Sequence, residues 1–424
     1  MAFDAELTPA GAQVLYAAAL ALKPADERRI SDWVDLGEVM LTEKTNTPRP
    51  GPVTFTGVEY IREPLDKLHA DDPAKRVTIR GGAQSAKSLV GQLWVCYSIR
   101  NNPKSFAIGL PSAGEIGKYN DFKLQPLIED SPALKSRVRP VSTKANDGSS
   151  VRKKKLFNGA SILLFNLASP KELQMISTGN LILEEVGNAL KEVGARGNPI
   201  KQARERQAAY SVVGSKELMI STPSELGECE VTAAEQSGDQ RRYFGKCPQC
   251  AGHFRFEPEG LTPPKGKVGA HFACPGCGYP VEDLDRAAWR EAGVWVPTFR
   301  SDDDVGNPPP PDYIAAEDIA AWAARDCEGR EPSYYVWQAM CGLISLEKIA
   351  DSVATATTPS ELKALEQQTY GRAWDPSVEA VSWEDLHRLR EDYPSETVAA
   401  GAELITAFCD VQGAYLQWTA YAWG

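Results

Sequence analysis

Two Cys-x-x-Cys pairs, Cys247-Pro248-Gln249-Cys250 and Cys274-Pro275-Gly276-Cys277, constrain this chain more tightly than any other feature. Each pair makes a tight knuckle that presents two thiolates. Four thiolates at this separation complete a tetrahedral shell around one zinc ion and leave no open coordination position. The site is therefore expected to be structural, with binding worth roughly 10 kcal/mol or more to offset the ordering of a small insert. His253 and His271 lie close by, but four cysteines already fill the shell. A redox role is the competing reading of any Cys-x-x-Cys. The remaining cysteines, Cys96, Cys229, Cys327, Cys341 and Cys409, are scattered through apolar or mixed sequence, a metal pattern and not a disulfide framework.

A chain of 424 residues is long enough for two or three domains. The formal net charge of -11 excludes a generally basic nucleic-acid coat, so any DNA contact must be local. The sequence has no apolar run of about eighteen residues and no secretion-type N-terminus, which points to a soluble intracellular protein with no membrane partner. Residues 1–56 read as a helical preface and linker, with apolar periodicity through Val14, Leu15, Ala18, Leu20 and Leu22 and again through Ile30, Trp33, Val34 and Leu36. From 57 to 242, short β-rich runs (Val77–Arg80, Phe106–Leu110, Ser161–Phe165, Asn180–Leu183, Glu217–Ser221) alternate with helix-compatible segments. That rhythm predicts an α/β fold with a mostly parallel sheet and helices on both faces. Residues 243–297 break it and read as the zinc-ribbon insertion. Residues 298–396 read as a helical linker, with a stiff run at Pro308–Pro311 and helices expected at Ala315–Asp326 and Ser333–Leu346. A β pattern resumes over 397–424.

The strand Val77–Arg80 leads into Gly81-Gly82-Ala83-Gln84-Ser85-Ala86-Lys87-Ser88 and then into the helical run from Leu89 to Trp94. Strand, glycine-rich loop, Lys-Ser, helix is the order needed to cradle phosphates with backbone N–H groups, a helix N-terminus and one lysine. Lys87 would meet the β- and γ-phosphates of ATP, and Ser88 would supply its hydroxyl to Mg²⁺. Ala86 stands where the usual pattern has glycine, a residue that adopts positive φ at lower cost. About a hundred residues on, the apolar run Asn180–Leu183 ends in Glu184-Glu185. Neighbouring strand residues point to opposite sides, so Glu184 is assigned to the Mg²⁺ shell and Glu185 to the attacking water. The competing reading is a pair of acids opening a helix, where they complement its dipole.

In this order the motifs resemble the large terminase subunits of tailed bacteriophages, in particular the lambda-type branch, over roughly residues 25 to 424. The resemblance rests on Glu59-Tyr60-Ile61-Arg62-Glu63-Pro64, similar to the family's adenine-binding tyrosine segment, and on the Lys87-Ser88 loop. Leu183-Glu184-Glu185-Val186 is similar to its Asp-Glu motif and Ser221-Thr222-Pro223 to its coupling motif. Asp239-Gln240-Arg241-Arg242-Tyr243-Phe244 resembles the run leading to its cysteine-rich segment, and Ala407-Phe408-Cys409-Asp410-Val411-Gln412 the first strand of its RNase H-like nuclease. The resemblance implies a P-loop NTPase of the ASCE-like type, an ATP-hydrolysing motor that moves double-stranded DNA into a procapsid. It further implies a homo-oligomeric ring, a portal protein and a small terminase subunit as partners, the host-cell cytoplasm as the setting, and Asp410 as the first nuclease metal ligand. One acid cannot clamp the two metals of such a nuclease, so DNA cleavage by this chain alone is not expected.

Between Lys135 and Lys155 eight basic residues face one acid, Asp147. Lys144, Arg152, Lys153, Lys154 and Lys155 are the candidate DNA contacts, around a turn at Asn146-Asp147-Gly148. A solvated hairpin edge guarded by lysines is the plainer reading. A ring motor also needs a cation at the γ-phosphate, for which Arg139 and Arg204 are candidates and Arg80 a third. The alternative function from a different class is a zinc-stabilised nucleic-acid-binding or scaffold protein with a degenerate nucleotide loop.

Overall fold

The computed structural model describes residues 28–378 apart from 46, 142–147, 195–196, 301–307 and 328, and then 397–398, 401–411 and 416–423. The chain divides into two compact units, Met1–Asp375 and Pro376–Gly424. The periodicity expected over residues 7–27, together with Lys144, Asn146 and Asp147, lies outside the described residues.

The first unit is built on a seven-stranded sheet. Its strands in chain order are β1 (Arg76–Gly81), β2 (Phe106–Leu110), β3 (Lys153–Lys155), β4 (Ser161–Asn166), β5 (Asn180–Glu184), β6 (Lys216–Ser221) and β7 (Ser333–Val336). In space they run β7-β1-β6-β5-β2-β4-β3, and every pairing is parallel except that of β3 with β4 at one edge. The inner strands β2, β5 and β6 are buried throughout, as a sheet covered on both faces requires. Their side chains sort by alternation. Ile108, Ile182, Leu218 and Ile220 join Val90 and Leu93 on one face, while Ala107, Leu181, Leu183 and Met219 join Ile200 and Ala203 on the other. Helix α1 (Lys87–Asn101) follows β1, and Gly91 on it lies where an added Cβ would touch Ile220 and Leu218 at 3.4–3.5 Å.

The fold class read from the sequence is the fold observed, with each of the five expected strands in place. Two local readings need correction. Ser333–Val336, expected as helix, is the edge strand β7, registered as Ser333↔Thr78 through Val336↔Gly81. Its residues Tyr334, Tyr335 and Val336 are aromatic or β-branched, and all four residues of the strand are buried. The helix expected at Ala315–Asp326 is confined to Ile319–Ala323.

Arg242–Lys246 leaves the sheet and pairs with Val294–Val296 on one side and His253–Phe254 on the other. Tyr313–Ile314 completes a four-stranded sheet beyond them. A second small sheet, Leu261–Thr262, His271–Ala273 and Pro280–Val281, carries the later cysteine pair. The two are locked by aromatic stacking: Phe256 lies 3.7 Å from Trp289 and 4.1 Å from Phe272, centroid to centroid. Trp337, just beyond β7, donates its indole N–H to Phe256 O at 2.9 Å, so the cysteine-rich segment is continuous with the core of the first unit.

In the second unit, Leu404–Val411 and Leu416–Trp423 form an antiparallel pair with Asp410 opposite Gln417. The Asp410 side chain lies outside the described residues. Among the described residues no helix is long and apolar enough to cross a membrane.

A candidate nucleotide site and a four-cysteine centre

At the C-terminal ends of β1, β5 and β6 lies a cavity of about 500 Å³ lined by Ala83, Gln84, Ser85, Ala86, Lys87, Ser88, Lys123, Glu185, Thr222, Pro223, Gln367 and Gln368. Parallel strands all deliver their ends to this side, which is why residues a hundred apart in sequence meet here. The loop is shaped by backbone that larger residues could not follow. A Cβ on Gly81 would lie 2.2 Å from Val336 Cγ2, and one on Gly82 2.7 Å from the carbonyl oxygens of both Gln368 and Thr369. Gln84 and Ala86 take left-handed conformations, φ 55° and 57°. Ala86 thus occupies the conformation for which glycine is the commoner choice, and the loop forms at some cost in strain.

Lys87 Nζ donates to Gly82 O at 3.1 Å and stands 3.9 Å from Glu185 Oε1. Burial lowers its pKa below the usual lysine value, opposed by the nearby Glu185 and Glu184 carboxylates. Glu184 is fully buried, and its Oε1 accepts from Lys123 Nζ at 2.9 Å. Its Oε2 has no protein partner among the described residues. A buried carboxylate oxygen left over suits a divalent cation, hard and oxygen-seeking, so the residues present fit Mg²⁺. Glu185 sits at φ 54° just past the strand, which turns its half-exposed carboxylate into the cavity. There Glu185 Oε2 accepts from the Thr222 backbone N–H at 3.4 Å. Ser221 Oγ accepts from Gly187 N–H and donates to Thr222 O. Glu185 and the Ser221-Thr222 turn are therefore one hydrogen-bonded assembly.

Several sequence-predicted residues fall elsewhere. Tyr60 is 1% exposed, and its hydroxyl donates to Ser85 O at 2.8 Å. It braces the phosphate loop from below and offers no free ring face to a base. Arg204 is locked in a bidentate pair with Glu217, the second residue of β6, at the opposite end of the strand from the cavity, so it does not reach its own subunit's cavity. Arg80 is buried against Glu235 and Gly371 O. Arg139, stacked 5.7 Å over the Phe157 ring, borders a separate hollow near β3. Lys154 is also a correction. It is 2% exposed and points inward, donating to Gln125 Oε1 and Ser150 O. Lys153 is exposed on the same strand, Lys155 is half-buried, and Arg152 pairs with Glu172 at 2.7 Å.

Sequence reading missed Lys123 and the strap Leu365–Tyr370. Lys123 belongs to no motif. The strap lies almost three hundred residues beyond the loop it supports, yet Ala83 N–H donates to Gln368 O at 2.7 Å. Gly371, at φ 68°, passes so close that a Cβ would lie 2.3 Å from Gly82 N.

The sulfurs of Cys247, Cys250, Cys274 and Cys277 all lie within 4.8 Å of one another. Tyr313 closes over them, its hydroxyl 3.7 Å from Cys250 Sγ, in space that only Gly252 and Gly276 leave free. Four converging thiols with no carboxylate among them fit a soft-tolerant tetrahedral ion such as zinc.

The profile of the phage terminase large subunit gpA ATPase domain matches residues 47–295, and that of the terminase large subunit gpA endonuclease domain matches residues 331–424. The stretch from 331 to Asp375 nevertheless lies in the first unit, where it supplies β7 and the strap. No curated protein matches the sequence. Among solved structures, a variant of the large terminase ATPase domain of Thermus phage P74-26 aligns at 12% identity, covering 78% of this chain and 97% of its own, with a TM-score of 0.38. The large terminase of the thermophilic bacteriophage D6E in complex with ADP aligns at 20% identity over 40% of this chain and 39% of its own, TM-score 0.29. The Phi-28 gp11 DNA packaging motor aligns at 10% identity, 36% and 48% coverage, TM-score 0.27. With the ATPase-domain profile spanning more than half of the 424 residues, and the phosphate loop and acid pair inside the matched stretch, the chain belongs to the family of gpA-type large terminase subunits of phages.

Proposed function

We propose that this chain is the ATP-hydrolysing motor of a phage DNA-packaging machine, driving double-stranded DNA into a procapsid. The observation that carries this reading is the meeting of Lys87, Ser88, Glu185 and Thr222 around one cavity, with Glu184 buried in a second hollow that shares Lys123 and Glu185 with it. Lys87 holds the β- and γ-phosphate oxygens. Ser88 and Glu184 would hold Mg²⁺, which would supply charge neutralisation to the phosphates. Glu185 orients the attacking water and accepts its proton. As that carboxylate changes partners, the Thr222 N–H and the Ser221 hydroxyl are positioned to carry the change into the turn after β6, which is the coupling role. The left-handed geometry at Ala86 weighs against a degenerate loop, since the chain adopts the required conformation without glycine.

The partners under this reading are a portal protein, a small terminase subunit and further copies of the chain in a ring, within the host-cell cytoplasm. Arg139 is the arginine offered to a neighbouring subunit's phosphate. Exposed Lys153, with Arg152 and Lys155, is the DNA-facing group, together with Lys144. Zinc on the four cysteines is structural. Asp410 would begin the nuclease metal site. The test is ATP turnover by Glu185→Gln and Lys87→Ala, each expected to lose at least a hundredfold, on the order seen for such residues. Unchanged turnover in either variant would refute the assignment.

A further inference from the structure

We propose that Lys123 is the subunit's own cation for the terminal phosphate, held in reserve on Glu184. The inference rests on the ATP-site reading above and deepens it. Among the described residues lining the cavity, the cations are Lys87 and Lys123. The arginines considered for the role are committed elsewhere or border other hollows, Arg80 to Glu235, Arg204 to Glu217 and Arg139 beside Phe157.

Lys123 is aimed by its backbone. The helix Ala113–Tyr119 widens into a π-helical turn, Asn120–Leu124, before Gln125–Asp130 resumes the ordinary pitch. Such a turn shifts the side chains after it around the axis and recurs at functional sites. Tyr119 and Leu124 anchor it in the core, and the Lys123 ammonium lies 5.2 Å from the Tyr119 ring centroid. It is about one-third exposed and reaches Glu184 Oε1.

The charges then form two matched pairs, Lys87 with Glu185 at 3.9 Å and Lys123 with Glu184 at 2.9 Å. Two lysines and two glutamates cancel, so this cluster carries no surplus charge. When Glu184 turns its oxygens to a divalent ion, its hold on Lys123 weakens, because the same carboxylate charge is now shared. The ammonium, already on the cavity wall, is free to swing to a phosphate oxygen. An ADP-bound site has no terminal phosphate to receive it, and Lys123 stays on Glu184. The lysine therefore distinguishes a triphosphate from a diphosphate.

Calorimetric titration of the full chain with Mg²⁺ plus either ADP or a non-hydrolysable ATP analogue tests this without turnover. Lys123→Gln keeps an N–H to donate to Glu184 while removing the charge, and Lys123→Arg restores it. Lys123→Gln should weaken the ATP analogue by about ten- to a hundredfold, the range for a charged hydrogen bond, and leave ADP within about twofold; Lys123→Arg should recover most of the loss. Lys87→Ala should weaken both nucleotides. Equal losses for both nucleotides in Lys123→Gln, or no loss, with Lys87→Ala still deleterious, would overturn the role of Lys123 and leave the ATP site standing. Failure of the unmodified chain to bind either nucleotide would overturn both.

Discussion

At the scale of single residues, the phosphate loop shows how much geometry rests on side chains that are absent or small. Ala86 pays for a left-handed φ of 57° that glycine adopts freely. Ala86→Gly should therefore hold nucleotide affinity and raise stability by up to about 1 kcal/mol in denaturant melts. Gly371→Ala should do the reverse. It places a methyl at φ 68° against the Gly82 amide, and a loss of about 2 kcal/mol or more, with weakened nucleotide binding, is expected. Lys154 offers a pH test. Burial pulls its pKa from 10.5 down to about 8, against the pull of Glu129 and Asp121. The unfolded chain keeps that proton up to 10.5 while the folded chain releases it near 8, so stability rises with pH across this window and falls again as pH drops back through it. Compared with Lys154→Met, the unmodified protein should gain relative stability between about pH 8 and pH 10.5; a gap independent of pH would show that the ammonium is not desolvated.

At the scale of elements, the cysteine-rich segment is less separable than its sequence suggests. From spacing alone it reads as an insert that unfolds first when its metal is lost. In the structure Cys247 and Cys274 belong to the same apolar cluster as Tyr60 and Trp337, and Arg372, just past the strap, pairs with Glu259. Chelation should therefore lower one shared calorimetric transition of the first unit and not split off an early one. The strap and β7 were illegible for a related reason. A four-residue strand and a π-helical turn carry too little periodicity to declare themselves, and their partners, Thr78 to Ala83, are more than two hundred and fifty residues away. Strand β7 was misread as helix because its burial on both faces removes the alternation that marks a half-exposed strand.

At the scale of the whole molecule, an acidic chain that handles DNA must do so through a local patch. Under the proposed function, Lys153→Ala with Lys155→Ala should reduce the slope of log affinity against log salt for duplex DNA by about 1 to 2, while Lys154→Met leaves it unchanged. Much of the local code was legible in the sequence: the five strands, the Lys87-Ser88 loop, the paired acids and the four cysteines each depend on neighbours in the chain or on a short, regular spacing. Which side chains face inward depends on contacts between distant segments. Thus Tyr60 became a brace under Ser85 and Lys154 turned into the core. Arg204 was consumed by Glu217, and Lys123, part of no motif, came to rest on a fully buried acid whose second oxygen has no protein partner among the described residues. Motifs record what the backbone can do locally, whereas burial and charge pairing are settled only when parallel strands bring their ends together at one edge of the sheet.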